Sequence, residues 1–358
     1  MMIPCNEVGA CQSVLIIGAG LIGTSLGLAL GQRGYSVYLE DSTPSHALVA
    51  AGLGAGEVGG CEDAEMVVVA VPPSLTGEVV AQSLAAYPQA TVTDVASVKA
   101  PILAQLRALS CDLSRYVGSH PMAGSHRSGP LTARADLFVD RTWVVTAHAD
   151  ADPARVEQVC SLARDCQARV ETMGPDEHDL AVAEISHVPQ IVASLMAGNL
   201  TEVVPEHLRL AGQGVRDVIR IAGSDPSMWT QIITANHSAI SNELARLSAS
   251  LERVRTQLDS TEAVTQFMKL GVEGARSLPG KHGRRVADYV QITVEIPDSP
   301  GALARLFADV ETAGVNVEDL VIEHDHAREV GYISISVEPN ETESLAQVMT
   351  DAGWALKP

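Results

Sequence analysis

The stretch Val14–Leu30, V-L-I-I-G-A-G-L-I-G-T-S-L-G-L-A-L, constrains the fold more than any other part of the chain. It reads as a buried β-strand, a tight glycine turn and the first turns of an α-helix. Gly18, Gly20 and Gly23 make the pattern G-x-G-x-x-G. In such a pattern the first glycine permits the turn, the second lets the backbone approach a pyrophosphate, and the third lets helix and strand pack closely. A helix opening at Leu21 and Ile22 offers free N–H groups and a partial positive charge to phosphates. A glycine-rich turn can be only a turn, so its context matters. A second strand, Ser36–Leu39, ends just before Asp41, 18 residues past Gly23. That is close to the roughly 20 residues expected for the acid that receives a ribose 2′-hydroxyl. No Arg or Lys closely follows Asp41, which favours NAD over NADP.

The surrounding pattern extends this reading. Strands expected at Val14–Ile17, Ser36–Leu39, Met66–Val71, Thr91–Asp94, Tyr116–Ser119 and Thr142–Thr146 alternate with helical segments, as in a parallel α/β sheet. Met66–Val71 is continuously apolar, as a strand covered on both faces should be. It stops at Pro72-Pro73, so Val71 and Pro72 fall at the carboxyl edge, where such sheets bind ligands. We therefore expect a Rossmann-type dinucleotide-binding domain over 13–173. From Gly174 the apolar spacing becomes helical. The series from Trp229 to Leu258 predicts one helix of about 30 residues, opened by Asp225-Pro226 as N-cap and first helical residue. This marks 174–275 as an all-α domain for substrate and dimerisation, and the chain as a homodimer. A basic linker is expected over 276–287. Residues 288–358 read as strand, helix, two strands, helix and a short last strand, a ferredoxin-like α+β module.

The formal charge is −20, with 14 acidic and 3 basic residues after position 287. So acidic a chain, only 3% aromatic, is poorly suited to nucleic acid or an anionic membrane. An anionic substrate must find its cations locally. The apolar run Val14–Gly31 contains five glycines in a turn pattern and no basic residue precedes Arg33. It therefore reads as neither a signal peptide nor a membrane span, and a cytoplasmic location is expected. Six cysteines without a C-x-x-C pair suit reduced thiols. His324-Asp325-His326 reads as a turn, and no metal site is expected.

Two stretches follow strands and so reach the carboxyl edge: Thr93–Lys99, containing Ser97, and Gly118–Gly124, containing His120. A histidine beside a nicotinamide suits general-base work, because its ordinary pKa lies near 6.5. Ser97 can bond the same oxygen or orient the imidazole. In the helical part, His187 lies in an apolar segment. Arg216 and Arg220 are four residues apart and share a helix face. Arg220, between Ile219 and Ile221, reads as a buried guanidinium in need of an anion, supplied by Asp217 or by a substrate carboxylate.

Together these residues resemble the prephenate dehydrogenases and their arogenate-using relatives. The resemblance runs through G-A-G-L-I-G (18–23), D-V-A-S-V-K (94–99), G-S-H-P-M-A-G (118–124), E-H-D (177–179), I-S-H-V-P (185–189) and R-D-V-I-R-I-A-x-S-D-P-x-M-W (216–229). It implies NAD-dependent oxidative decarboxylation of prephenate to 4-hydroxyphenylpyruvate. His120 would be the base, with Ser97 orienting it or the hydroxyl. Arg220 would bind the ring carboxylate, with His187, Arg216 and His126 among the substrate-binding residues. Two positions depart from the family pattern. Gln190 stands where a second histidine is frequent, and His126 where an acid or amide is frequent. An acid at 126 could pair with the amino group of arogenate; a histidine favours prephenate. The tail resembles an ACT-type regulatory domain, which implies a tyrosine effector near Asp298, Gly301, Leu303 and Asn316. The alternatives are an arogenate or dual-specificity cyclohexadienyl dehydrogenase and, in another class, a non-catalytic sensor of NAD and amino acids.

Overall fold

Five apolar-centred residues, Ser13–Ile17, form β1 in the middle of an eight-stranded sheet in the computed structural model. The structure describes residues 13–124, 129–278, 289–297, 299–325 and 330–357. His126 and Asp298 lie outside these residues. The chain divides into two compact units, residues 1–249 and 250–358.

In the first unit β1 is followed by α1 (Leu21–Gly31), β2 (Ser36–Glu40), α2 (Pro44–Gly52), β3 (Glu57–Val58), β4 (Met66–Val69), α3 (Pro73–Ala86), β5 (Thr91–Asp94), α4 (Ala100–Ala108), β6 (Tyr116–Pro121), β7 (Thr142–Thr146), α5 (Pro153–Asp165) and β8 (Arg169–Met173). The strand order is β3-β2-β1-β4-β5-β6-β7-β8. The chain builds outward from β1 in one direction and then returns to build outward in the other. The gap between β1 and β4 is therefore the switch point at which open α/β sheets bind ligands. Every residue of β4 is fully buried, and each such side chain contributes roughly 1.5–3 kcal/mol on burial. The apolar run at residues 14–31 resolves into β1 and α1, both packed into the core.

The sheet is not wholly parallel. β1 to β6 run parallel, but β7 pairs antiparallel with β6, and β8 runs parallel to β7. A parallel partner requires a crossover to the opposite edge. Among the described residues of the β6–β7 connection there is only one 3₁₀ turn, Pro130–Thr132, so the chain re-enters from the edge it left. The antiparallel ladder carries β6 to Pro121, which pairs with Trp143. His120 thus sits within the strand, not past its end.

The helical part begins with α6 (Pro175–Val182), a π-helical turn (Ala183–His187) and α7 (Val188–Asn199). Pro189 has no N–H to give, and its ring crowds the carbonyl four residues back; the widened turn before it relieves both problems. This continuous stretch, Pro175–Glu202, is the one helix among the described residues long and apolar enough to cross a membrane. It carries the buried polar residues His178, Asp179, His187 and Gln190. Next come α8 (Pro205–Leu208), α9 (Gln213–Ile219), a 3₁₀ turn (Arg220–Gly223), α10 (Pro226–Ala235) and α11 (His237–Thr256). Asp225 caps α10, accepting from Ser227 N at 2.8 Å. The single long helix expected from Trp229 to Leu258 is instead two, parted at Asn236. The Asn236 side chain is buried and bonded inward, which holds the backbone out of regular helix at that residue.

The unit boundary falls inside α11. The second unit contains α12 (Thr261–Ser277), then β9 (Val290–Pro297), α13 (Ala302–Ala313), β10 (Asp319–Asp325), β11 (Val330–Val337), α14 (Thr342–Asp351) and β12 (Ala355–Lys357). α12 runs through 276–277, so the first residues assigned to a linker are helical; residues 279–288 lie outside the described residues. His324 and Asp325 belong to β10 and not to a turn, and His326 is outside the described residues. β9 to β12 form an antiparallel sheet in the order β10-β11-β9-β12. Ile292, Val294, Leu306, Ile333, Leu345 and Trp354 are among the residues of its core.

Candidate active site

The glycine turn sits at the switch point. Gly18 adopts φ +107°, and a Cβ there would lie 2.4 Å from the Ala70 carbonyl oxygen at the end of β4. A Cβ on Gly23 would lie 1.9 Å from the Gly18 oxygen, so the turn closes only if both are glycine. Gly20 differs: a Cβ there would meet nothing within 4 Å. That open face lies over the first turn of α1, whose N-cap is Gly20 and which has no side-chain cap. Leu21, Ile22 and Gly23 thus present an uncapped helix N-terminus to an anion. Asp41 follows β2, its carboxylate accepting from Ala19 N and Thr43 N, each at 2.7 Å. Each oxygen keeps a further lone pair for a ribose hydroxyl. Val71 and Pro72 lead from β4 to α3, and Thr76 Oγ1 donates to both carbonyls. These residues fit a dinucleotide.

Beside this edge, β6 delivers His120. Its Nδ1 lies 2.9 Å from His178 Nε2, and His178 Nδ1 lies 2.7 Å from Asp179 Oδ1. Asp179 in turn accepts from Lys99 N at 2.8 Å and Ala100 N at 2.9 Å, so it closes the open end of α4. His178 and Asp179 are buried on α6. Below them, Lys99 Nζ pairs with Asp94 Oδ1 and donates to Ser119 O at 2.7 Å, which pins the backbone one residue before His120. Tyr116 donates to the other Asp94 oxygen at 2.8 Å. Burial drives the Lys99 pKa down against the pull of Asp94, and drives the Tyr116 phenol well up.

Ser97 lies on the β5–α4 loop and is partly exposed. Among the described residues no hydrogen bond joins it to His120; the imidazole is held by His178. Sequence reasoning recognised E-H-D as a motif but assigned no role to His178 or Asp179, and none to Lys99, Asp94 or Asn236. Their common signal is a polar side chain in a fully buried position, which only the folded chain displays.

His187, in the π turn, is buried. Asn236 Nδ2 donates to Asp179 O at 2.8 Å and lies 3.0 Å from His187 Nδ1. An amide nitrogen only donates, so His187 Nδ1 accepts and its proton sits on Nε2. The Trp229 ring meets His187 edge to face, with centroids 6.0 Å apart. Arg220 departs from expectation. It is exposed, not buried, because its 3₁₀ turn lies at the surface, and Arg216 is exposed as well. Asp217 binds Gln213, at 2.8 Å, and neither arginine. Gln190 is buried and donates to Ile221 O at 3.1 Å, tying the Arg220 turn to α7. In the second unit, Gly301 precedes α13 with φ +89°, Leu303 lies on its first turn, and Asn316 donates to Glu318 Oε1 at 2.6 Å.

Burial holds the His120 imidazole well below the usual histidine range, and His178, Lys99 and His187 push it the same way. Burial also brings His187 down to about 4, against the opposing pull of Asp179. Both rings are therefore neutral near neutrality. The unfolded chain titrates these groups near pKa 6.5, so between that pH and about 4 it binds more protons than the folded chain. Their stabilising effect is complete above this window and is lost as pH falls through it. The urea midpoint should accordingly be lower at about pH 5 than at about pH 7; equal midpoints would contradict a neutral His120 and His187.

Two sequence-family models together cover most of the chain. Residues 26–172 match the family model of the prephenate dehydrogenase nucleotide-binding domain, and residues 174–270 that of the prephenate dehydrogenase dimerization domain. The chain is 34% identical over 357 residues to the probable prephenate dehydrogenase NovF of Streptomyces niveus, spanning 96% of this chain and 99% of the relative. Prephenate dehydrogenase from A. aeolicus, solved with hydroxyphenyl propionate and NAD+, superposes with TM-score 0.68 at 26% identity, covering 75% of this chain and 98% of that one. Synechocystis arogenate dehydrogenase superposes with TM-score 0.66 at 25% identity, covering 74% and 100%. The chain therefore carries an NAD-binding domain, and it belongs to the prephenate dehydrogenase family.

Proposed function

We propose that the chain oxidises and decarboxylates prephenate to 4-hydroxyphenylpyruvate, with His120 as the base. The observation that carries this is a partly buried histidine, its pKa held down by desolvation, at the sheet edge that also bears the dinucleotide turn. Bound NAD+ supplies the hydride acceptor. The turn at Gly18–Gly23 would hold the pyrophosphate and Asp41 the ribose. His120 accepts the proton of the C4 hydroxyl as hydride leaves C4 and the carbon–oxygen bond becomes a carbonyl. The bond from C1 to its carboxylate then breaks, and CO2 leaves. The electron pair passes through the ring to the C4 oxygen, which recovers a proton from His120. Aromatisation drives the step. Ser97 borders the hydroxyl, and the neutral His187 donates through Nε2. Arg220 binds the ring carboxylate, with Arg216 on the same side. An exposed arginine without a protein carboxylate partner among the described residues suits this role, since its anion is the substrate.

In sequence, His126 stands where an acid able to pair with the amino group of arogenate is frequent in the family, so prephenate is the preferred substrate. The helical part forms a homodimer, supported by the exposed apolar side chains of Leu195, Met196, Leu247 and Leu251 and by the matched dimerization model. The second unit, with its βαββαβ order and antiparallel sheet, is a ferredoxin-like ACT-type module. It binds tyrosine near Asp298, Gly301, Leu303 and Asn316. NADH formation from prephenate and arogenate, with and without tyrosine, tests these points together. The expected result is a higher kcat/KM for prephenate, with tyrosine inhibition that is lost in Asn316→Ala. Preference for arogenate would overturn the substrate assignment, and indifference to tyrosine the regulatory one.

A further inference from the structure

We propose that His178 and Asp179 are positioning residues that fix the tautomer of His120, so that its Nε2 meets the substrate hydroxyl as a bare lone pair. The inference rests on the reading of His120 as the base, and it assigns a cause to that reading.

The proton placement follows from the donors. Three groups converge on the Asp179 carboxylate: Lys99 N, Ala100 N and His178 Nδ1. The two backbone groups can only donate, and a carboxylate can only accept. His178 therefore carries its proton on Nδ1. A neutral imidazole then has its lone pair on Nε2, which lies 2.9 Å from His120 Nδ1. That contact requires the His120 proton on Nδ1. One lone pair remains on His120, at Nε2. Without the relay, His120 would be free to adopt the opposite tautomer and present an N–H that cannot accept a proton. His187 shows the complementary arrangement, because Asn236 occupies its Nδ1. Two histidines of the site are thus set in opposite tautomers, one to accept and one to donate.

The relay also matters after proton transfer. The new imidazolium lies in a partly buried site faced by Lys99, His178 and His187. Its Nδ1–H is held by His178, whose own N–H is polarised by Asp179. Lys99 is paired with Asp94, so the relay is the one negative counterpart bonded through to His120 among the described residues.

The test uses His178→Gln and His178→Asn in the full chain. Glutamine places an amide oxygen where Nε2 stands and can still accept from His120. Asparagine reaches only the position of Nδ1 and leaves His120 unheld. We expect His178→Gln to keep kcat within about tenfold of native, the scale of one weakened hydrogen bond. His178→Asn should lose about 10²-fold in kcat, the lower range for a misplaced general base, with KM for prephenate and Kd for NAD+ little changed. In His178→Asn the acid limb of the kcat profile should move to lower pH, because the imidazolium has lost its acceptor. Nitrogen-15 NMR of histidine-labelled native chain should show His120 protonated on Nδ1, and this assignment should be lost in His178→Asn. Equal losses in the two variants, in step with their melting temperatures, would overturn the proposal. So would a native His120 protonated on Nε2. If the native chain fails to oxidise prephenate, the functional reading fails, while the NMR result still decides the relay.

Discussion

His120→Asn should lower kcat for prephenate by about 10²–10⁴-fold, the usual contribution of a positioned general base. The substitution is informative because it removes little else. The asparagine amide nitrogen occupies the place of Nδ1 and can still donate to His178 Nε2, so the contact now at 2.9 Å has a substitute. What asparagine lacks is the group at Nε2. Melting temperature and NAD+ affinity should stay near native while turnover collapses, and kcat should lose its dependence on the His120 ionisation. Activity within a fewfold of native would remove His120 from the role of base.

The second large effect concerns the glycine turn, where two glycines should fail in different ways. In Gly23→Ala the new Cβ would lie 1.9 Å from the Gly18 carbonyl oxygen and 3.1 Å from the Ile16 side chain. The nearer obstacle is backbone, so the turn must move. Overpacking of this kind costs about 1–3 kcal/mol, and both the melting temperature and NAD+ affinity should fall. In Gly20→Ala the Cβ meets nothing within 4 Å, so folding should be unaffected. It projects over the open end of α1, where the pyrophosphate is expected, and NAD+ affinity should fall by tenfold or more, about 1.4 kcal/mol. Calorimetric titration with NAD+ and thermal melts of the two variants separate these outcomes. Native NAD+ affinity in Gly20→Ala would place the pyrophosphate elsewhere.

The legible parts of this chain are those with local chemistry. The strands at Val14 and Met66 announce themselves by apolar runs, and those at Ser36 and Thr91 by short β-branched or aromatic segments. The glycine turn does so by spacing, and α10 by Asp225-Pro226. The tail shows its elements in order because Gly, Pro or Asn marks most of their boundaries, as at Pro297, Gly314 and Gly353. What stays hidden is set by tertiary position. Nothing near Thr142 marks β7 as antiparallel, since direction depends on the edge at which the chain re-enters. Asn236 interrupts a regular apolar series only because its side chain has a carbonyl and an imidazole to reach. Arg220 has apolar neighbours in sequence yet lies on a surface turn, so neighbours along the chain misjudge its burial. The largest omission is the pair His178 and Asp179. Fifty-eight residues separate His178 from His120, and no spacing rule joins them. Ser97 is the nearer candidate in sequence for orienting the base, but the fold gives that contact to α6.

In the proposed reaction a hydride moves from C4 of prephenate while His120 takes the hydroxyl proton. Prephenate carrying deuterium at C4, supplied with NAD+, tests it most directly. The label should be recovered in the reduced dinucleotide, the 4-hydroxyphenylpyruvate formed should carry none at C4, and one CO2 should be released for each NADH. Deuterium retained in the product, or CO2 released without NADH, would contradict it.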